Sequence, residues 1–200
     1  MGERYEELGD YKQAINQYKM TAQYYKASSG SSGFATMSVQ VLACLRKVGF
    51  LTASLGPRGY NEASIVYREI AREELRNNLT KYSARHSIFR AILLLLASQG
   101  PSPNSNKDCD RDTNVEDAKR ALHEMMQLDV RFETWAGRDF LICIINIIKR
   151  EDGTLHEFSD HLFEYNELYP FDELNLDILN NIYSLYFSPI EIEMDQLAVG

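Results

Sequence analysis

Apolar residues recur at helical spacing along nearly the whole of this chain, and no stretch keeps the alternation of period two that a half-buried strand requires. The first segment shows intervals of three, four or seven residues between Tyr5, Leu8, Ile15, Tyr18, Ala22 and Tyr25. Such intervals line one face of a helix. They predict helices over residues 3–8, 11–26, 34–55, 60–77, 80–98, 114–128, 134–150, 154–168 and 172–187. The predicted fold class is therefore all-α.

A repeated motif refines this fold class. Residues 7–18 have the pattern of the turn and second helix of a tetratricopeptide unit, because Gly9 permits a tight turn and Ala14 lets two helices approach closely. Related patterns return later in the chain, near Tyr60, Val115 and Leu155. We therefore expect a right-handed α-solenoid of tetratricopeptide-like, antiparallel helical hairpins.

We expect the first hairpin to be truncated, because a turn at Gly9 leaves only residues 3–8 for its first helix. A solenoid normally begins with a polar capping element. We therefore expect this chain to be the carboxy-terminal part of a longer superhelix, or to have this end covered by another chain.

Turn-forming residues divide the chain into four parts. We expect residues 1–100 to hold the tetratricopeptide-like hairpins and residues 101–114, rich in Pro, Asn and Asp, to form an insertion loop. We expect residues 115–189 to form a carboxy-terminal helical bundle that contains Trp135, and residues 190–200 to form an acidic tail.

Charge is distributed unevenly along the chain. The formal net charge is −8, from 29 acidic and 21 basic residues, which argues against a nucleic-acid-binding protein. Residues 151–200 contain twelve Asp and Glu and no Lys or Arg, so the first 150 residues carry 21 bases against 17 acids. This asymmetry suggests two partners of opposite charge, although a solvated acidic face of a helical protein explains it equally well.

Motifs for catalysis or metal binding are absent from the sequence. It has no GxxxxGK(S/T) or GxGxxG phosphate loop and no HExxH pair, and the acids at 108, 110 and 112 lack the Gly and Glu of a calcium loop. Cys44, Cys109 and Cys143 have no metal or disulfide spacing, which indicates a reduced, cytoplasmic protein. No apolar run approaches the roughly 18 residues of a spanning helix. We expect no cofactor, no metal and no enzyme.

A basic stretch occupies residues 68–90. Arg68, Arg72 and Arg76 are four residues apart, and Lys81, Arg85 and Arg90 follow them. Three acids lie among the first of these cations, at Glu69, Glu73 and Glu74. For the Arg68 to Arg76 row we therefore favour intrahelical ion pairs over a binding face.

Three segments resemble the soluble NSF attachment proteins, the alpha type more than the gamma type. Residues 13–18 and 23–26, Gln-Ala-Ile-Asn-Gln-Tyr and Gln-Tyr-Tyr-Lys, are similar to a family helix with Ala-Ile-x-x-Tyr that ends in Asp-Tyr-Tyr-Lys. Residues 44–48, Cys-Leu-Arg-Lys-Val, are similar to Cys-Leu-Leu-Lys-Val. The most specific segment is 79–85, Leu-Thr-Lys-Tyr-Ser-Ala-Arg, similar to Leu-x-Lys-Tyr-Ser-Ala-Lys. The resemblance covers residues 3–97 well and the remainder loosely.

The resemblance implies a non-catalytic adaptor in the cytoplasm, peripheral to vesicle and target membranes. Family members bind the assembled SNARE four-helix bundle, whose surface is largely acidic, through basic residues on the concave face of the solenoid. Their acidic carboxy-terminal part recruits the hexameric ATPase NSF. The family's membrane-touching amino-terminal loop has no counterpart here, so we expect membrane association only through the partners or a missing amino-terminal part.

The site residues implied by the resemblance fall into two groups. Lys47 and Arg85 would face the SNARE bundle, with Arg46 beside Lys47. The NSF-binding residues would lie near the carboxyl end, at Glu151, Asp152, Glu191, Glu193, Asp195 and Leu197. One alternative function stays open, a generic tetratricopeptide-type scaffold that holds an extended peptide and stimulates no ATPase.

Overall fold

The computed structural model describes residues 2–28, 39–98, 107–150 and 153–187. These residues contain nine α-helices and one 3₁₀ helix, Val130–Thr134, and no strand. The α-helices are α1 (Gly2–Glu7), α2 (Tyr11–Ser28), α3 (Val39–Ala53), α4 (Pro57–Arg76), α5 (Ala84–Leu96), α6 (Lys107–Gln127), α7 (Ala136–Lys149), α8 (Leu155–Leu168) and α9 (Glu173–Tyr186). The predicted all-α fold class is confirmed.

Each of the helices α1 to α7 packs against the next one in the chain, as expected of a stack of helical hairpins, and α9 returns to pack on α5. Helix α5 is the centre of the molecule, because it contacts α4, α6, α7 and α9. Every residue from Ala91 to Leu96 is buried. This explains why the second half of α5 is a continuous apolar run rather than one apolar stripe, since a helix segment covered on all sides is apolar all round.

Two glycines form the turns that join the first hairpins. Gly9, between α1 and α2, and Gly56, before α4, have φ values of 73° and 82°, a region that residues with a Cβ rarely adopt. Gly59 has a different role, because a Cβ at this position would lie 2.2 Å from the backbone oxygen of Thr52. Helices α3 and α4 therefore approach closely only because residue 59 has no side chain.

Two helices begin at other residues than the apolar pattern predicts. Helix α4 begins at Pro57 and not at residue 60, because proline fits the first turn of a helix, where its missing N–H has no helical partner. Helix α5 begins at Ala84 and not at residue 80. Before it, the Asn77 side chain accepts a hydrogen bond from the Leu79 amide at 2.9 Å, and such local bonds compete with helix formation.

The predicted insertion loop over residues 101–114 is wrong from Lys107 onward, where α6 begins. The sequence did not reveal this start because only one apolar residue, Cys109, precedes Val115 in the stretch, so no helical face is visible. The predicted start of the third helix, at residues 34–38, lies outside the described residues.

The carboxy-terminal helices are defined by capping residues and held by an aromatic cluster. Thr154 and Glu157 form a capping box at the start of α8, and Asp172 caps α9 by accepting from the Asn175 amide. The ring of Phe140 on α7 lies 4.4 Å from that of Tyr165 on α8, centroid to centroid, and 5.6 Å from that of Phe89 on α5. None of the helices in the described part of the chain has the length and apolar character to span a bilayer.

Candidate functional site

Arg46, one of the predicted SNARE-facing residues, is bound to a buried acid. Its Nη2 donates to Oε1 of Glu74 at 2.5 Å, and the other carboxylate oxygen of Glu74 accepts from the Ser87 hydroxyl at 2.7 Å. The Glu74 side chain is fully buried, whereas that of Arg46 is about half exposed. A buried carboxylate requires such partners. Arg46 therefore links α3 to α4 and α5, a structural role that the sequence did not predict.

Lys47 belongs to a second network, which connects α3 to the first two helices. Its Nζ lies 2.9 Å from Oε2 of Glu6, and Oε1 of Glu6 accepts from the Tyr18 hydroxyl at 2.5 Å. Burial works against ionisation of Glu6, but the hydrogen bonds from Tyr18 and Lys47 hold the pKa of this carboxyl below its ordinary value. Half of the Lys47 side chain stays exposed, so it remains accessible to a partner.

Arg85, the third predicted cation, lies in a cluster of positive charge around an exposed tyrosine. Its Nη2 lies 3.4 Å from the backbone oxygen of Arg131, to which it donates. Lys81 Nζ and Arg131 Cζ lie 5.5 and 5.6 Å from the ring centroid of Tyr82, within reach of cation–π attraction. Lys81, Tyr82, Arg85 and Arg131 together form what we call the basic–aromatic patch. Within the described residues, Arg85 has no carboxylate partner.

Arg131 is a member of this patch that the sequence did not reveal. It lies 46 residues from Arg85 in the chain, in the 3₁₀ helix between α6 and α7, and only the packing of this segment brings it to the start of α5. Asp129 holds it there through side-chain hydrogen bonds, which lower the pKa of that carboxyl. No periodicity or motif in the sequence relates Arg131 to Lys81 or Arg85.

Three of the remaining cations of the basic stretch have acidic partners, whereas Nε of Arg68 is buried without a hydrogen-bond partner among the described residues. Arg76 forms an ion pair with Glu73, and Arg72 lies 3.9 Å from Glu124 on α6. Arg90 contacts Asp172 and Asn175 beside α9, and its Nη1 donates to the Tyr67 hydroxyl at 3.2 Å. The favoured ion-pair interpretation is confirmed for Arg76, whereas the pair of Arg72 is with another helix.

The predicted NSF-binding residues Glu151, Asp152, Glu191, Glu193, Asp195 and Leu197 lie outside the described residues. The described segment 153–187 shares their character, because it holds seven acids and no Lys or Arg. Two of these acids are bound to arginines of the preceding part, Glu157 to Arg150 and Asp172 to Arg90. The others leave α8 and α9 strongly anionic. Among the described residues, no three His, Cys, Asp or Glu side chains are placed to hold a metal ion.

Comparison with known proteins gives one consistent family. A family model described as "Soluble NSF attachment protein, SNAP" matches residues 1–184. The chain is 25% identical over 182 residues to the alpha-soluble NSF attachment protein of Dictyostelium discoideum, covering 91% of this chain and 54% of that protein. It is 27% identical over 186 residues to the vesicular-fusion protein SEC17 of Komagataella phaffii, with the same coverage.

A third similarity is shorter. The chain is 34% identical over 87 residues to the beta-soluble NSF attachment protein of Bos taurus, covering 44% of this chain and 26% of that protein. The chain thus spans about half the length of the first curated relatives it matches. No solved structure matches it.

Proposed function

The chain belongs to the soluble NSF attachment protein family, and on this premise we propose that it acts as an adaptor between SNARE complexes and the NSF ATPase. In this role it binds the assembled SNARE four-helix bundle, recruits NSF and stimulates the ATPase, so that the bundle is taken apart during vesicle trafficking. The protein works in the cytoplasm, peripheral to vesicle and target membranes, and its membrane association comes through its partners.

The separation of charge along the chain is the observation that carries this proposal. The first 150 residues carry all 21 bases, and the last 50 residues carry twelve acids and no base. An adaptor for an acidic bundle and an ATPase needs two surfaces of opposite sign, because complementary charge steers each partner to its own end.

The SNARE-binding surface that we propose comprises Lys47, Arg85 and the rest of the basic–aromatic patch. Arg85 and Lys81 are the strongest candidates, because within the described residues neither forms an ion pair with a carboxylate. About half of the Lys47 side chain is exposed to the SNARE bundle, whose acids compete with Glu6 for the ammonium group. Arg46 supports this surface by binding Glu74, and about half of its side chain stays exposed to a partner.

The NSF-binding surface that we propose comprises Glu151, Asp152 and the tail residues Glu191, Glu193, Asp195 and Leu197. The five acids of residues 153–187 that have no arginine partner extend the same negative potential over α8 and α9. Binding to a basic partner at this end is expected to weaken with added salt, since exposed charges are screened beyond about 10 Å at 0.1 M ionic strength.

A titration against the amino-terminal domain of NSF tests the proposal. The intact chain and a chain ending at Ser188 are each titrated at low and at high salt. We expect saturable binding that weakens with salt and disappears with the tail. Stimulation of NSF by the intact chain distinguishes the adaptor from a tetratricopeptide-type peptide scaffold, which stimulates no ATPase. Absence of binding at every salt concentration contradicts the adaptor function.

A further inference from the structure

An apolar groove of about 430 Å³ runs between α8 and α9. Its floor consists of the buried side chains of Phe158 and Leu179, and its walls include three apolar side chains that remain exposed to solvent, Phe163, Leu176 and Tyr183. Phe163 is 66% exposed although it stands beside an apolar surface that could cover it. Clustered exposed apolar side chains of this kind mark interaction sites.

Both ends of the groove are fixed by internal contacts. At one end the ring of Phe158 packs against that of Phe187, with 4.8 Å between the centroids. At the other end the Phe171 amide donates to Oδ1 of Asn166 at 2.9 Å. The groove is therefore a formed feature of the α8–α9 pair, and Ser159, Asn166 and Asn180 give it a few polar groups among the apolar ones.

The rim of the groove is negatively charged. Asp160 and Glu167 are three and four residues from Phe163 on α8, and Glu173 is three residues from Leu176 on α9, so helical spacing places each acid beside a wall residue. All three side chains are exposed, and residues 153–187 contain no Lys or Arg to neutralise them. An occupant of this groove must therefore combine apolar side chains with positive charge.

We propose that the α8–α9 groove receives an amphipathic segment of the NSF ATPase, in which apolar anchors are flanked by lysines or arginines. This inference rests on the proposed function and adds an apolar contact to the acidic one. The chain's own tail is a poor occupant, because its acids at 191, 193 and 195 would meet the acidic rim. The largely acidic SNARE bundle is repelled for the same reason.

Replacement of one wall residue tests this groove with a matched control. Phe163→Ala in the full chain removes an aromatic anchor, and Leu168→Ala removes an apolar side chain of the same helix that is 75% exposed and does not line the groove. We expect Phe163→Ala to weaken binding of the NSF amino-terminal domain about tenfold or more, because aromatic anchors dominate interface energies. Leu168→Ala should bind like the wild type.

The salt dependence of binding distinguishes the apolar contribution of the groove from the electrostatic contribution of its rim. Glu173→Gln should weaken binding at low salt and lose its effect at high salt, whereas the effect of Phe163→Ala should persist, because apolar burial is not screened. Glu164→Gln, on the side of α8 turned away from the groove, serves as the charge control. Circular dichroism and thermal unfolding verify that each variant keeps the wild-type fold; Phe163 is exposed enough for this to be expected.

Two failures of the experiment have different meanings. If the wild type binds the NSF domain and Phe163→Ala binds it equally well, the groove assignment is overturned while the adaptor function stands. If the wild type does not bind at any salt concentration, the adaptor function is overturned and the assignment of the groove to NSF with it.

Discussion

Arg46 and Lys47 are neighbours in the sequence, but their side chains enter different hydrogen-bond networks. Arg46 neutralises the fully buried Glu74, whereas Lys47 pairs with Glu6, which is only partly buried. The resemblance assigns both residues to the SNARE surface and cannot distinguish them, because the burial of their acidic partners depends on how α1, α4 and α5 pack around α3. The stabilities of the two single variants should differ accordingly.

We predict that Arg46→Ala destabilises the fold by about 2–3 kcal/mol, because it leaves the buried Glu74 carboxylate without its cation. Lys47→Ala, the matched control, should cost less than about 1 kcal/mol, since its ion pair is half exposed. Urea unfolding monitored by circular dichroism measures both values. Equal stabilities of the two variants would show that Glu74 does not depend on Arg46.

At the scale of elements, helix positions follow from the apolar pattern while helix ends follow from local chemistry. The nine predicted helices correspond to α1 through α9. Their ends differ in three places from those predicted. A proline starts α4 at Pro57, a side-chain hydrogen bond to Asn77 competes with the helix before α5, and a single apolar residue precedes Val115 in the first turns of α6. The close approach of α3 and α4 depends on a glycine whose importance only the packing reveals.

We predict that Gly59→Ala destabilises the α3–α4 hairpin, because the added Cβ lies 2.2 Å from the Thr52 oxygen, a backbone atom that cannot rotate away. The expected cost is about 1–3 kcal/mol, the range for overpacked cores. Arg58→Ala, at the adjacent exposed position, is the control and should change stability by less than about 0.5 kcal/mol. Thermal unfolding compares the two, and a Gly59→Ala variant as stable as the control contradicts the close approach.

At the scale of the whole molecule, the charges of distant segments combine into surfaces. Arg131, itself paired with Asp129, joins Lys81 and Arg85 at the start of α5, and Arg90 is bound by Asp172 next to α9. The number of cations in the basic stretch therefore does not determine the binding potential. Tertiary contacts decide which of these cations remain available to a partner.

We predict that Lys47→Glu combined with Arg85→Glu weakens binding of an assembled SNARE bundle and leaves helicity unchanged. The variant with both substitutions also carries Glu6→Gln, because Lys47→Glu would otherwise place two carboxylates together. A chain with Glu6→Gln alone is the control. The loss should be larger at low salt than at high salt, since long-range attraction is screened. Co-sedimentation at two salt concentrations measures it, and undiminished binding removes Lys47 and Arg85 from the interface.

The sequence by itself determined the all-α class, the number and order of the α-helices in the described part of the chain and the turn at Gly9, because helical spacing and turn chemistry are local properties of the chain. It also determined the charge separation, which needs no coordinates. Only the tertiary structure decided that Arg46 forms an ion pair with Glu74, that Arg131 lies against Arg85, and that α8 and α9 form an apolar groove. These features join residues that are far apart in the chain, and their burial and distances are set by the packing of whole helices.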